Sequence, residues 1–514
     1  MPRNRSLAGV AAATALVLAA TGCGGGGGSS SSGGSSGGSK TLTLGLITPA
    51  TTFKAADINF ANESPYGQAV YDTLLKADPD GKVVPSLATE WKYNADKTVL
   101  DLTLHSDVQF TDGTKFNADA AAQNLKRFQA GSSPNKSFLA NMKDAKAVDD
   151  THLQITLKQS DPGLLNYLTQ SAGMQESPGN FDKPDEKTKP VGSGPYVIDT
   201  ANTVIGSSYA FTKNPNYWDK ASQHYDKLVL KVFNDPTAML NAVKGKQLSG
   251  AKLINNDFIA QVKGAGYSLV EWELDWTGML LLDRGGKINP AMKDVRVRQA
   301  LNYAFDKQGL LKAFGKGYGT PTTQIFPPRS PGYDQALDSK YDYNPAKAKE
   351  LLAQAGFASG LTLEMPSTAR VGTTLWSLIG QQLKDVGVTA KFTDAGTNFI
   401  PNILAPKYTA TWLTLQQDPT DWQIINFELS PQATFNPFKT NDPKVAELIK
   451  KYHDAKTDAE AAPAVKELNA YIVDQAWFAP WYRVKSNYAT DPNTTVEAQN
   501  GNAYPYLWNF KPKG

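Results

Sequence analysis

Apolar and polar residues alternate at the start of the folded part of the chain. TLTLGLI (41–47) places an apolar side chain at every second position, the period of a strand with one covered face. SPYGQAVYDTLLKAD (64–78) has helical spacing. EWKYN and TVLDLTL alternate on either side of the turn former Asn94-Ala95-Asp96, which predicts a hairpin. A second turn at Asp112-Gly113 leads to Asn117, a candidate N-cap for the alanine-rich helix after it. HLQITLK (152–158) predicts another strand. VGSGPYVI (191–198) is a glycine-rich turn that enters a strand. It lacks a subsequent Lys-Ser/Thr, so it does not fit a phosphate loop, and GKGYG (315–319) fails the same test.

From Asp294 the period lengthens. DVRVRQALNYAFDKQGLLKAF (294–314) predicts a helical stretch. YNPAKAKELLAQAGF (343–357) predicts a helix that Asn344-Pro345 starts and Gly356 stops. LTLEM (361–365), TLWSLIGQQLKDVG (374–387) and VTAKFTD (388–394) come next as strand, helix and strand. YTATWLTL (408–415) is a further strand, and residues 445–455 and 461–475 are helices. This alternation predicts an α/β half with parallel pairings, after a first half of mixed α+β character.

The N-terminus has a different pattern. Arg3 and Arg5 precede the apolar run Leu7–Ala20, which is too short to span a bilayer, and small residues lead to Cys23. Residues 24–39 contain only Gly and Ser and fit a flexible tether. Cys23 is the one cysteine in 514 residues, so the body has no thiol for disulfides, catalysis or metal binding. A net charge of +3 is small for this length and argues against a nucleic-acid partner. His105, His152, His224 and His453 lie far apart, with no pair at ligand spacing. The chain carries 10 Trp, 21 Tyr and 21 Phe, an aromatic supply suited to a concave ligand site as well as to cores.

PSLATEWKYNADKTVLDLTLHSDVQFTDGTKFNADA, VGSGPYVI with FTKNPNYWDK, DVRVRQALNYAFDKQ, YNPAKAKELLAQAGF and QQLKDVGV stand in an order that resembles the bacterial extracellular solute-binding proteins of family 5. These are the peptide- and nickel-type receptors of ABC importers. Cys23 resembles the lipidated cysteine of bacterial lipoproteins, although Ala20 stands where that pattern usually has Leu. The resemblance implies an α/β, two-lobed fold of the type II periplasmic-binding-protein kind, with an extra α+β subdomain on lobe 1. Mapped here, residues 1–23 are the lipoprotein signal with its cysteine and 24–39 the tether. Lobe 1 takes 40–65, 190–275 and 486–514, the extra subdomain 66–189, and lobe 2 276–485.

The resemblance also implies a cleft lined by the loop after the first strand, a crossing strand and a segment ending in Asp-Pro. The corresponding residues put Phe53, Trp276, Trp412, Leu415, Gln416, Gln417, Asp418, Trp422 and Tyr482 in line for ligand contact. Arg370, after strand LTLEM, occupies a loop that holds a carboxylate in some peptide binders. Peptide-binding members place an aspartate four residues before the proline of that Asp-Pro, where it pairs with the peptide's amino terminus. Here that position is Leu415, which cannot pair with an ammonium, and a buried unpaired charge is costly. Gln416 and Gln417 offer neutral amides instead.

The expected function is therefore a lipid-anchored, monomeric receptor on the extracytoplasmic face of the membrane. It would capture a polar uncharged solute such as a sugar or glycoside, hand it to an ABC permease, and need no cofactor or metal. An ordinary di- or oligopeptide ligand is the alternative. An extracellular hydrolase is the rival class; no G-x-S-x-G is present. Carboxylates for a glycosidase would have to come from Glu271, Glu273, Asp275 and Asp418, which sequence cannot bring together.

Overall fold

Leu42, Leu44 and Leu46 of strand Thr41–Leu46 are all buried, so the alternation at 41–47 marks a covered face. The computed structural model describes residues 40–513. In it, Thr41–Leu46 lies between Lys227–Val232 and Gly250–Leu253 and runs parallel to both. The sheet runs in the order Tyr196–Ile198, Ser208–Lys213, Lys227–Val232, Thr41–Leu46, Gly250–Leu253, Phe478–Thr490, Ser268–Leu280, Thr411–Gln416. A ninth strand, Gly319–Pro321, also pairs with Phe478–Thr490. The chain is a mixed α/β fold.

Two long strands organise the molecule. Ser268–Leu280 and Phe478–Thr490 run antiparallel, with Ser268 opposite Thr490 and Leu280 opposite Phe478. At one end Trp272, Leu274 and Tyr488 join a core with Leu42, Phe53 and Tyr209. At the other, Trp276, Leu280 and Phe478 join a core with Ile325, Leu415 and Trp422. Met279 and Trp481 enter a third core with Leu301, Trp376 and Ile379. The ladder slips between Glu273 and Asp275, where one core gives way to the next, and again between Thr277 and Gly278. Such slips bend a strand and interrupt its pairing.

Gly278 has a steric reason to be glycine. A methyl group there would lie 2.5 Å from the Ala479 carbonyl oxygen and 2.6 Å from Pro480 Cα. Gly278→Ala is expected to cost about 1–3 kcal/mol through overpacking. Urea unfolding measures this, and an unchanged midpoint would mean that the crossing yields easily.

The hairpin at residues 90–104 forms as strands Ala88–Tyr93 and Val99–Leu104. The Asn94 side chain accepts from Thr98 N at 2.9 Å and Val99 N at 3.0 Å to close the turn. His152–Leu157 and Met142–Ala147 complete an antiparallel sheet of four. Helix Ala118–Ala130 packs on it, and Asn117 caps that helix by accepting from Ala120 N at 3.0 Å. Leu361–Ser367 and Val388–Asp394 pair in parallel across helix Thr373–Asp385. Asn344 caps helix Pro345–Gln354, and Gly356, at φ 91°, lies just beyond its end.

Three expectations change. The helix expected over 64–78 stops at Val70, because tertiary contacts claim the residues after it. The Tyr71 hydroxyl donates to the Phe53 carbonyl at 2.6 Å. Buried Asp72 accepts from Tyr217, Trp218 and Ser193. Leu75–Ala77 is then a strand paired with Val83–Pro85. The glycines of VGSGPYVI serve this same corner: a methyl on Gly192 would lie 2.1 Å from the Val70 carbonyl oxygen. The stretch 294–314 breaks into Val295–Tyr303, Lys307–Leu310 and a wide π turn at Leu311–Gly315, with Asp306 capping the second piece. Finally, the strand at 408–415 joins the large sheet antiparallel to Ser268–Leu280, not a parallel sheet of the second half.

Candidate functional site

Strand Thr411–Gln416 ends in the segment Gln417-Asp418-Pro419-Thr420, which leads into helix Asp421–Ile424 and the π turn Ile425–Leu429. Thr420 caps this helix by accepting from Gln423 N at 3.3 Å. The Arg329 guanidinium braces the segment from behind, donating to the Gln417 carbonyl and, at 2.7 Å, to the Asp418 carbonyl. Gly501 meets Pro419 on the other side. It has φ 73°, and a methyl there would fall 2.7 Å from Pro419 Cα. The segment is thus held in one conformation.

In front of it lies a cavity of about 290 Å³. One wall carries Leu415, Gln416, Asp418, Gln423, Phe427 and Glu428, with Phe435 beside them. The facing wall carries Phe60, Asn135, Phe138, Gln170, Asn502 and Tyr506. Five side chains are carboxamides (Asn135, Gln170, Gln416, Gln423, Asn502) and five are aromatic (Phe60, Phe138, Phe427, Phe435, Tyr506). Two are carboxylic acids. Among the described residues lining the cavity there is no Lys, Arg or His.

The two acids differ in setting. Asp418 is half-buried, and Gln416 Nε2 lies 3.4 Å from its Oδ1. Burial pushes it up to about 7, against the pull of Arg329 and with a further push from Asp275. Glu428 is buried at 2 % exposure. Burial raises it well above the usual carboxylate range, while the Trp276 N–H, donating to its Oε1 at 3.4 Å, pulls the other way. Asp275, beside the strand slip, is pushed up to about 6 by burial, with Lys252 as its countercharge.

Of the residues singled out from sequence, Leu415, Gln416 and Asp418 line this cavity. The others lie elsewhere. Phe53 is core, edge-on to Tyr66, Tyr209 and Phe211. Trp276 is fully buried and reaches the cavity only through its bond to Glu428. Trp412 turns toward Trp376 and donates to Thr277 Oγ1 at 3.0 Å. Gln417 points away and donates to the Ile325 carbonyl at 2.8 Å. Trp422 stacks on Tyr452, and Tyr482 packs by Gly315. Arg370 is exposed in a turn outside the lining. Cys23 falls outside the described residues.

Of the lining residues that sequence reading missed, Phe60, Asn135, Phe435 and Asn502 come from loops without periodicity, while Phe138, Gln423 and Phe427 sit on short helical turns. Glu428 had one available signal. It is the one charged residue in the mainly apolar run WQIINFEL (422–429).

Away from the cavity, the two walls meet again. The Lys97 ammonium donates to the Ala455 carbonyl at 3.2 Å, and His453 Nε2 donates to the Ser160 carbonyl at 2.9 Å. These bonds tie the four-stranded sheet region to the end of helix Pro443–Asp454. Among the described residues no group of three or more His, Cys, Asp or Glu could hold a metal ion, and no helix is long and apolar enough to cross a membrane.

Residues 82–445 match the family described as bacterial extracellular solute-binding proteins, family 5 Middle. The glutathione-binding protein GsiB of Salmonella typhimurium is 29% identical over 370 residues, 70% of each chain. Its counterpart from Shigella dysenteriae is 29% identical over 389 residues, 70% of this chain and 74% of the other. Among solved structures, HbpA2 from Haemophilus parasuis superposes with a TM-score of 0.80 at 22% identity, covering 92% of this chain and 100% of that one. DppA from Helicobacter pylori in complex with the peptide STSA gives 0.75 at 18%, covering 92% and 98%.

Proposed function

Because the chain belongs to the bacterial extracellular solute-binding proteins of family 5, we propose that its 290 Å³ cavity captures a polar organic solute without anionic groups. The chain is an ABC transporter substrate-binding protein, a solute receptor and not an enzyme. One observation carries the ligand reading: five amides, five aromatic rings and two acids line the cavity without a basic side chain. Aromatic faces cover apolar patches of a solute, and amides supply both donors and acceptors. An anion would meet Asp418 and Glu428 with no basic side chain in the lining to pair with, a costly arrangement in a buried site. Glutathione, the solute named for the relatives, carries two carboxylates and fits this lining poorly. A di- or oligopeptide with a free carboxylate meets the same objection.

Capture proceeds by hinge closure. The strands Ser268–Leu280 and Phe478–Thr490 serve as the hinge. Lobe 1 comprises 40–65, 190–275 and 486–514, its subdomain 66–189, and lobe 2 276–485. A ligand that touches both walls favours the closed arrangement by its differential affinity. Cys23 carries the lipid, residues 24–39 form the tether, and the monomeric body works outside the membrane beside its permease.

Differential scanning fluorimetry of the full chain tests the ligand reading. Neutral oligosaccharides and N-acetylated peptide amides are expected to raise the melting temperature, while glutathione and free-carboxylate peptides are not. Phe427→Ala is expected to weaken the response at least about tenfold in ligand concentration. Stabilisation by anionic compounds alone would sink the reading.

A further inference from the structure

His453 stands where the two walls meet away from the cavity, in the last turn of helix Pro443–Asp454. Both of its ring nitrogens face acceptors. Nδ1 lies 2.9 Å from Asp454 Oδ1, and Nε2 lies 2.9 Å from the Ser160 carbonyl oxygen and 3.2 Å from Ser160 Oγ. A carbonyl or carboxylate oxygen can only accept, so each 2.9 Å approach needs an N–H between the atoms. Neutral imidazole has one N–H and imidazolium has two, so this arrangement belongs to the cation. The surroundings suit a positive charge. On its own helix, the carbonyls of the last turn favour it, and Lys450 pairs with the other oxygen of Asp454. From the facing loop, buried Asp161 feels the charge of the ring; it accepts from Asn141 at 2.9 Å and from Gly163 N at 3.0 Å. From the hairpin turn, Lys97 bonds the Ala455 carbonyl. Trp422 sets its ring 5.3 Å from the imidazole, while Asp421 and Asp458 bear on the adjacent Tyr452.

We infer that His453 is a proton-operated latch: its imidazolium joins the end of helix Pro443–Asp454 to the loop at Ser160 and favours the closed arrangement of the two walls. The Asp454 contact is between adjacent residues and persists when the walls part. The Ser160 contact joins residues 293 positions apart and exists only when the walls meet. In the open arrangement a neutral ring uses its one N–H on Asp454 and leaves Nε2 to water. Closing then brings Nε2 against a carbonyl oxygen, which repels a lone pair and binds an N–H. The closed arrangement therefore takes up a proton. The balance is one N–H bond formed on Nε2 with a proton drawn from buffer; no other covalent bond changes. Closing is thus favoured as pH falls and weakens as pH rises. Trp422 connects the latch to the capture site, since its helix carries Gln423 and runs on into the π turn of Phe427 and Glu428. Ser160, Trp422 and His453 do not line the cavity, so the latch acts on the walls and not on the solute. This inference rests on the hinge-closure reading and is independent of the solute's chemistry.

The test needs no ligand. It uses the full chain with Cys23→Ser and spin labels at Ala95→Cys and Ala459→Cys, two exposed positions on opposite sides of the contact between Lys97 and Ala455. Parting of the walls lengthens their separation. Double electron–electron resonance is read at about pH 5.5 and about pH 8.5, either side of the ordinary imidazole range. Asp418 and Asp275 also titrate in this window, so the result is the difference between this parent and its His453→Gln variant. The parent is expected to shift toward short distances in acid, its closed-to-open ratio rising about three- to tenfold. His453→Gln keeps an N–H donor but does not titrate, and is expected to lose that rise. Ser160→Ala is expected to keep it, because the carbonyl is the acceptor. An equal rise in His453→Gln, no rise in the parent, or loss of the rise in Ser160→Ala overturns the proposal. His453→Asp sets a third acid beside Asp161 and Asp454 and is expected to lengthen the separation at either pH. If it does so while pH leaves the parent unchanged, the walls move and only the latch is wrong. If neither moves the pair, closure itself is wrong and the latch falls with it.

Discussion

Trp276→Ala is expected to lower folding stability by about 3–5 kcal/mol, the range for deleting a buried aromatic side chain. Trp276 is fully buried on the crossing strand, edge-on to Phe478 of the other crossing strand, with ring centroids 5.5 Å apart. Its removal opens a void where the two long strands enter the second half. It also takes away the one N–H that Glu428 accepts. Trp276→Phe keeps most of the volume and is expected to lose less. Urea unfolding of both variants measures the difference. A loss below about 1 kcal/mol for the alanine variant would show that the crossing is not a packed junction.

The second large effect is on pH dependence. Asp418 is pushed up to about 7 by burial, and Asp275 and Asp421 up to about 6 by the same cause. In the unfolded chain such groups ionise near 3.9. Between these values the folded state holds protons that the unfolded state has released, so stability falls as pH rises from about 4 to about 7. Other carboxyl groups act in the opposite sense: Asp338, held by Arg483, lies below its ordinary value although burial alone would raise it. The comparison that isolates Asp418 is therefore wild type against Asp418→Asn at each pH. The variant is expected to gain stability relative to wild type as pH rises through 7, with the smallest gain near pH 4. Thermal melts in a buffer series measure it. A gain that shrinks with rising pH would mean that Asp418 is stabilised as an anion, and that the cavity already supplies a cation.

Local signals carried much of the fold. The period of two at 41–47, the Asn94 turn, the Asn117 cap and the Asn344–Gly356 pair each depend on neighbours within a few residues, and each appears as expected. Long-range contacts decided the rest. SPYGQAVYDTLLKAD had the spacing of a long helix, but the chain leaves the helix after Val70, where Asp72 accepts three hydrogen bonds from Ser193, Tyr217 and Trp218. YTATWLTL looked like one more strand of an α/β half, yet its partner lies more than a hundred residues earlier.

The site divides in the same way. The Asp-Pro segment was legible because resemblance placed it, and Leu415, Gln416 and Asp418 do line the cavity. The tryptophans were chosen for their chemistry, and chemistry alone does not set direction. Trp276, Trp412 and Trp422 all turn to protein neighbours. Asn135, Gln170 and Asn502 approach from parts of the chain that no pattern connects to residue 418. The absence of acid at Leu415 suggested an uncharged ligand beside a site that still held Asp418. Glu428, thirteen positions on, lines the same cavity and was not singled out from sequence.

Closure of the two walls on a ligand about the crossing strands is the expected capture step. Its most direct test uses spin labels at Lys97→Cys and Ala455→Cys in a Cys23→Ser background, read by double electron–electron resonance. These residues sit on opposite sides of the contact where the Lys97 ammonium meets the Ala455 carbonyl. Without ligand, a broad distribution reaching to longer distances is expected. Saturation with the compound that most raises the melting temperature should collapse it to one short, narrow peak. A single distribution that stays the same with and without that compound would contradict closure.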